Sequence, residues 1–314
     1  MSSPALSRYL AFRRSLPPRP ALEQRKVRAR GLDFAVFLTP PVEGTLPLLC
    51  INGGLIYDHK LLWPALAPLA THRQLILYDQ RGRGQSQAPP GISASRIEFD
   101  AGDIPVIRKA LGITQWDVLG HSWGGGIAML STALDIKASP NAVRRLVLVN
   151  AVGITSRWLG PLHNAGVERL KNEGSAEDHA RLAAFDPTTL ETPGIEHHAA
   201  YTRAYFPAWF GDQEFARNVN PPLGDSETGT HVVARLRREG YDWTDRLRDL
   251  PVPTLVVHGA ADVLPLAEAE NTARTLGNAR VAPIPEAGHN PFWESPELFF
   301  TTVDTFLREG QPAG

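Results

Sequence analysis

The stretch GHSWG, residues 120–124, directly follows the apolar run at residues 116–119. Glycine on each side of Ser122 removes the side chains that would collide in a tight turn from strand to helix. Apolar residues then recur at helical spacing at Ile127, Leu130 and Leu134. The pattern predicts a buried strand, a sharp turn and a helix, with the hydroxyl of Ser122 projecting from the turn as a candidate nucleophile.

The same alternation of strand-like and helix-like segments extends to both sides of this turn. Before it, an opening hairpin is expected across Gly31, and after the middle of the chain the alternation returns. Strand-like runs occupy residues 25–29, 34–38, 48–51, 75–78, 115–120, 146–150, 254–258 and 281–284. Strands alternating with helices are typical of a parallel sheet with helices on both faces, so we expect an α/β fold.

Residues 153–250 lack this alternation and mix aromatic and charged residues at helical spacings, with breaks at several prolines. We predict two domains: an α/β core formed by residues 1–152 and 251–314, and a helical cap formed by residues 153–250. The cap is expected over the carboxyl edge of the sheet, where open α/β sheets bind ligands.

Local signals predict where several helices begin and bend. Ser95 and Glu98 match a capping box ahead of a helix that ends near Gly112, and Pro105 predicts a kink or break inside it. A helix is expected over residues 61–69, capped by Asp58. Ser295 and the proline after it predict the start of a final helix.

Composition favours small-molecule chemistry. The 314 residues carry a formal net charge of -1, which gives no field that would attract nucleic acid. The single cysteine, Cys50, cannot form an intramolecular disulfide. We expect a cytoplasmic protein without stable membrane insertion that acts on a small molecule or short peptide, and the sequence leaves a homo-oligomer open. The first 20 residues, which hold four arginines and four prolines, are expected to be a solvated arm.

Two further residues complete a candidate catalytic set. A serine hydroxyl needs a base, and the base needs a group that fixes its tautomer. Asp262 follows the strand-like run 254–258, and His289 follows the run 281–284. The order Ser122, Asp262, His289, each after a strand, is typical of an α/β-hydrolase triad. Taken singly, Asp262 could cap a helix and His289 could be a surface residue.

Acyl transfer also needs hydrogen-bond donors for the developing oxyanion. The backbone N–H of Trp123 is one candidate, and that of Gly54, after the strand 48–51, is the other. The alternative is that the glycines at 53 and 54 only form a turn. No cofactor and no metal site is predicted.

At this point the sequence resembles the α/β-hydrolases of the proline iminopeptidase group. The motifs are NGG at 52–54, YDQRGRGQS at 78–86, GHSWGG at 120–125, GAAD at 259–262 and GH at 288–289. The resemblance implies a mostly parallel eight-stranded sheet, a helical cap and a Ser-His-Asp amidase or esterase that removes an N-terminal proline. The loop at 52–56 departs from the HGGPG of that group.

The sequence identifies the residues that bind the substrate less clearly than the candidate catalytic residues. The group's Trp-Glu pair for the substrate amine has no counterpart in residues 153–250, which leaves Glu191, Glu196 and Glu214 as candidates. The aromatic residues between 201 and 210 either roof a pocket or fasten the cap to the core. The candidate substrate contacts are Tyr57, Tyr205, Trp209 and Trp293. Alternative functions are carboxylesterase, lactonase or carbon–carbon bond hydrolase, or a non-catalytic ligand-binding protein of this fold.

Overall fold

An eight-stranded sheet runs through the computed structural model, which describes residues 3–309. Its order is β1-β2-β4-β3-β5-β6-β7-β8, and all neighbours from β4 to β8 are parallel, whereas β1-β2 and β2-β4 are antiparallel. The strands are β1 (Glu23–Ala29), β2 (Leu32–Leu38), β3 (Leu48–Ile51), β4 (Leu75–Tyr78), β5 (Trp116–His121), β6 (Val143–Val149), β7 (Thr254–Gly259) and β8 (Ala279–Ile284). The predicted α/β sheet and its opening hairpin are confirmed.

Helices cover both faces of the sheet. The central strands β3, β4, β5 and β7 are buried along their whole length, which explains their continuous apolar sequence. The helices are α1 (Pro4–Ser15), α2 (Ile97–Ala110), α3 (Trp123–Ala138), α4 (Leu159–Glu173), α5 (Ala176–Ala183), α6 (Ile195–Tyr205), α7 (Gln213–Ala216), α8 (Glu227–Glu239), α9 (Thr244–Leu247), α10 (Leu266–Leu276), α11 (Pro291–Glu294) and α12 (Pro296–Arg308). Helices α2, α3 and α10 pack in one apolar cluster, and α12 packs in a second.

Helices α4 to α9 lie between β6 and β7, and we call residues 153–250 the inserted segment. An isolated antiparallel bridge between Thr155 and Asp242 brings its two ends together. The outermost residues of the predicted core domain, 1–2 and 310–314, lie outside the described part of the chain. Over residues 3–309 no helix has both the length and the apolar character needed to cross a membrane.

Two local predictions about helices were wrong, and the break expected at Pro105 is absent. Ser95 ends a short 3₁₀ turn, and α2 begins only after Arg96, so the expected capping box does not form. Pro105 neither breaks nor ends α2, because the apolar face with Ile104 and Ile107 is buried against the core and holds the helix together. Residues 61–69 form parts of two 3₁₀ turns, although Asp58 does cap the first of them.

The prediction that the first 20 residues form a solvated arm was also wrong, because part of this segment packs against the rest of the protein. Residues 4–15 form α1, which Ser3 caps by accepting a hydrogen bond from the backbone N–H of Leu6 at 2.9 Å. Ser3 Oγ also donates to Asp212 Oδ2 at 2.6 Å, and the ring of Phe12 stacks on that of Phe300. Helix α1 therefore contacts both the inserted segment and α12.

Candidate active site

Four neighbouring strands of the sheet deliver polar side chains to one edge. Ser122 follows β5, Asn150 follows β6, Asp262 lies in the loop after β7, and His289 lies in the loop after β8. Because these strands are parallel and adjacent, their carboxyl ends meet at the same edge. Gly54 follows β3, the neighbour of β5 on the other side.

Ser122 occupies a strained turn between β5 and α3. Its φ is 55° and its ψ is -125°, a conformation that residues with a side chain rarely adopt. The turn is possible because a side chain at Gly120 would lie 2.3 Å from the carbonyl oxygen of Gly124, and one at Gly124 would lie 2.2 Å from that of Ile51. The two glycines of the motif thus permit the close approach that exposes the serine, as the sequence predicts.

Asp262 and His289 form a buried hydrogen-bonded pair. The Nδ1 of His289 lies 2.8 Å from Oδ2 of Asp262, which also accepts a hydrogen bond from Nδ2 of Asn150 at 2.6 Å. Burial by itself would raise the pKa of Asp262, but the charge of His289 and the hydrogen bonds from His289 and Asn150 outweigh it. The pKa of Asp262 therefore lies below its usual value, and the carboxylate is ionised at neutral pH.

His121, next to the serine, cannot act as the base at neutral pH. Burial and the adjacent His289 lower the pKa of His121 to about 3. Its Nε2–H donates to the backbone carbonyl of His289 at 3.0 Å. The ring of His121 therefore supports the loop that carries His289.

A buried carboxylate and one main-chain contact fix the loop that carries His289. Oε2 of Glu294 accepts from the backbone N–H of Gly288 at 2.7 Å, and Oε1 accepts from those of Gly211 and Asp212 at 2.8 and 3.0 Å. The backbone N–H of His289 donates to the carbonyl of Trp209 at 2.7 Å. The inserted segment and the His289 loop are thus bound directly to each other.

The loop after β3 presents the second candidate oxyanion donor. Asn52 stands where the resembled group has histidine, and its Nδ2 donates to the carbonyl of Tyr57 at 3.0 Å. Nε of the buried Arg83 donates to the carbonyl of Leu55 at 2.8 Å. Among residues 3–309, the backbone N–H groups of Gly54 and Trp123 have no hydrogen-bond acceptor, so both remain free to bind an oxygen.

A cavity of about 130 Å³ lies over Ser122 and His289. Of the predicted contacts, Gly54, Tyr57, Trp123 and Trp209 line it. Tyr205 lies outside the lining, stacked behind Tyr201 and bonded to His163. Trp293 lines a separate cavity beneath α1, so neither residue is placed to contact a substrate at Ser122.

None of the three candidate glutamates lines this cavity. Glu191 and Glu196 are exposed, and Glu214 is exposed and paired with Arg217. In the described part of the chain, no aspartate or glutamate lines the cavity, and Arg237 is its single permanently charged side chain. The remaining lining is mostly aromatic and aliphatic.

One cluster of possible metal ligands lies outside the cavity. One ligand atom each of Asp58, His59 and Asp79 lies within 4.8 Å of the others. Oδ1 of Asp79 accepts from the backbone N–H of His59 and lies 2.8 Å from its Nδ1, and Asp58 pairs with Lys60. These bonds occupy the atoms that a cation would use, and Asp79 instead holds the backbone at His59 in place.

Sequence analysis missed three residues of this site: Asn150, Glu294 and Arg237. The only sequence signal for Asn150 is its position directly after a strand, and Glu294 has the context of an ordinary residue ahead of the final helix. Arg237 lies on the same face of α8 as Val233, four residues earlier, and both line the cavity. The sequence alone does not show which face of α8 points into the cavity, so it could not identify Arg237.

Comparison with known proteins places this geometry in a family. Residues 47–296 match the family described as the alpha/beta hydrolase fold. The chain belongs to the α/β-hydrolase family. As a member of this family it is a hydrolase, which agrees with the Ser122, His289 and Asp262 positions after successive strands.

Individual relatives carry several hydrolase names. The proline iminopeptidase of Lactobacillus delbrueckii subsp. lactis is 29% identical over 265 residues, covering 78% of this chain and 84% of that protein. The 2-hydroxymuconate semialdehyde hydrolase of Pseudomonas putida is 32% identical, covering 76% and 78%. The crystal structure of proline iminopeptidase from Mycobacterium smegmatis superposes with a TM-score of 0.65 at 23% identity, covering 91% of this chain and 98% of that one. This α/β-hydrolase is thus similar to proline iminopeptidases.

Proposed function

We propose that this α/β-hydrolase is a serine hydrolase that works through Ser122, His289 and Asp262. The observation that carries the proposal is the 2.8 Å contact between His289 Nδ1 and the Asp262 carboxylate, in a loop that borders the same cavity as Ser122. This contact leaves Nε2 of His289 available for the serine proton. The ionised carboxylate fixes the tautomer and stabilises the imidazolium that forms.

The proposed reaction has two halves. Ser122 Oγ attacks the acyl carbon while His289 Nε2 takes its proton, and the proton passes to the leaving group as the acyl-enzyme forms. Water then attacks the acyl-enzyme, with His289 again as the base, and Ser122 leaves with its proton restored. The free N–H groups of Gly54 and Trp123 are proposed to bind the oxyanion in both halves.

For the substrate we propose a small, largely apolar ester. Aromatic and aliphatic side chains form most of the cavity, which suits an apolar acyl group. A peptide with a free N-terminal amine would need a carboxylate partner, and the lining residues within 3–309 include none. The second candidate is removal of an N-terminal proline, which the names of several relatives favour.

Replacing Ser122 by alanine tests the chemistry. Turnover of a p-nitrophenyl ester should fall at least about a thousandfold, because the nucleophile is lost while the binding cavity stays. The wild-type protein should react with a fluorophosphonate probe, and Ser122→Ala should not. Ser93→Ala, which removes an exposed serine in a 3₁₀ turn, is the matched control and should keep both activity and labelling. Full activity in Ser122→Ala would refute the proposal, and failure of the wild type to label would favour a non-catalytic binding protein.

A substrate comparison separates the two candidates. Wild-type kcat/KM should be higher for p-nitrophenyl butyrate than for proline p-nitroanilide. A clear preference for the proline anilide would instead support the aminopeptidase function.

A further inference from the structure

Arg237 is a cation without a counter-ion in the substrate cavity. It lines the cavity, yet no ion pair or side-chain hydrogen bond joins it to any residue of the described chain. The other arginines of α8 are engaged: Arg235 pairs with Glu239, and Arg238 donates to the carbonyl of Glu191 at 2.6 Å. The buried arginines 81, 83 and 108 all have carboxylate partners. Arg237 is therefore free to pair with a ligand.

The position of Arg237 is set by a firmly held helix. Helix α8 is capped by Ser226, whose Oγ also donates to the carbonyl of Gly82 at 2.6 Å. In the first turn of α8, a side chain at Gly229 would lie 2.0 Å from the carbonyl oxygen of Leu55, so the helix touches the candidate oxyanion loop directly. This contact fixes the distance between the reacting centre and the cavity wall that carries Arg237.

A second polar group at this wall also lacks a partner. His198 is buried and its Nδ1 bonds the carbonyl of Gly194 at 3.2 Å, whereas its Nε2 has no hydrogen-bond partner in residues 3–309. His198 and Arg237 line the same cavity. Burial lowers the pKa of His198, and the positive charge of Arg237 lowers it further. Because the Gly194 carbonyl can only accept, Nδ1 of His198 carries the proton and Nε2 is a buried acceptor. A buried acceptor left unpaired is costly, which indicates a hydrogen-bond donor on the ligand, separate from the group that pairs with Arg237.

We propose that the substrate of this hydrolase carries a carboxylate, remote from the bond that is cleaved, and that Arg237 binds it. This inference rests on the proposed function of Ser122. Arginine pairs with a carboxylate through two parallel hydrogen bonds, and the weak solvation inside an apolar cavity strengthens them. A phosphate monoester is disfavoured, since its second negative charge would stay buried beside a single cation.

The test compares matched charged and neutral esters. On the acyl side, mono-p-nitrophenyl glutarate is compared with its methyl ester, and on the leaving-group side, 4-acetoxybenzoic acid with its methyl ester. In at least one pair, the wild type should prefer the charged member at least about tenfold in kcat/KM. Arg237→Gln should abolish that preference mainly by raising KM for the charged ester. Arg237→Lys should restore part of the preference. The matched control, Arg238→Gln, lies outside the cavity and should change neither pair.

The outcomes distinguish this inference from the proposed function. If Ser122-dependent activity is present but neither charged ester is preferred, the carboxylate proposal is overturned and the serine hydrolase proposal stands. If Ser122→Ala keeps full activity, the serine hydrolase proposal fails first. Inhibition of the wild type by free glutarate and by glutaramide tests the role of Arg237 without any variant. Glutarate should inhibit more strongly, and equal inhibition by the two would also overturn the role of Arg237.

Discussion

The side-chain amide of Asn150 connects three parts of the site. Its Nδ2 donates to Asp262 and, at 3.3 Å, to the carbonyl of Gly288, while its Oδ1 accepts from the backbone of Gly259 at 3.4 Å. Asn150 has a φ of 44°, a left-handed conformation that asparagine tolerates better than most residues. A single fully buried residue thus orients the carboxylate that orients His289.

Replacing Asn150 by glycine should lower kcat by about 10- to 100-fold, the effect of losing one hydrogen bond to a charged group. KM should change little, because Asn150 does not line the cavity. Glycine adopts the positive φ without strain, so the fall in kcat measures the loss of the side-chain amide. Asn150→Ala also forces alanine into the positive φ, and this variant should be less stable than Asn150→Gly. Steady-state kinetics and thermal unfolding of both variants check this, and a kcat within twofold of the wild type would contradict it.

At the scale of elements, the four-residue helix α11 holds two loops through Glu294. Burial raises the pKa of Glu294 to about 7, although hydrogen bonds from Asp212, Gly288 and Gly211 oppose the rise. The unfolded chain has the ordinary value of 4.5. Below pH 4.5 Glu294 is protonated in both states; between 4.5 and 7 the folded protein holds the proton more tightly than the unfolded chain does.

Stability should therefore fall as pH rises from 4.5 to 7, by up to about 3 kcal/mol from this group. Glu294→Gln removes the titration. The free energy of unfolding of the wild type minus that of the variant should therefore decrease as pH rises over that range. Urea unfolding at pH 5 and pH 8 measures it, and Glu297→Gln, exposed in the first turn of α12, is the control. A difference that is the same at both pH values would show that Glu294 does not titrate there.

At the scale of the whole molecule, α1 binds together parts of the chain that are far apart in sequence. Ser3 and the backbone N–H of Ala5 donate to Asp212 of the inserted segment, and Phe12 stacks on Phe300 of α12 at 5.5 Å between ring centroids. The N-terminal helix therefore contributes to stability as well as covering the surface.

Phe12→Ala should lower the free energy of unfolding by about 1–2 kcal/mol, since it removes a half-buried aromatic ring. Leu10→Ala, on the same helix but 44% exposed, should cost less than about 0.5 kcal/mol. Urea denaturation of the two variants gives the comparison. Equal losses would mean that α1 is not docked through Phe12.

The sheet and the order of the candidate triad could be predicted because buried parallel strands leave long apolar runs in the sequence. The residues after them then share one edge by topology alone. The walls of the cavity could not be predicted. Tyr205, which ends α6, and Trp209, in the 3₁₀ turn that follows, have similar sequence contexts, and only the packing of this segment decides which one lines the cavity. Asn150 and Glu294 act through contacts with loops that are distant in sequence, and the sequence carries no signal for such contacts.

The backbone conformation of Ser122 also restricts how the protein can evolve. At a φ of 55° a branched Cβ is strongly disfavoured, so threonine is a poor replacement even though it carries the same hydroxyl. Cysteine is unbranched and fits the turn. At position 122, natural or laboratory variation can therefore replace serine by cysteine, which exchanges oxygen for sulfur, but not by threonine, which carries a secondary alcohol.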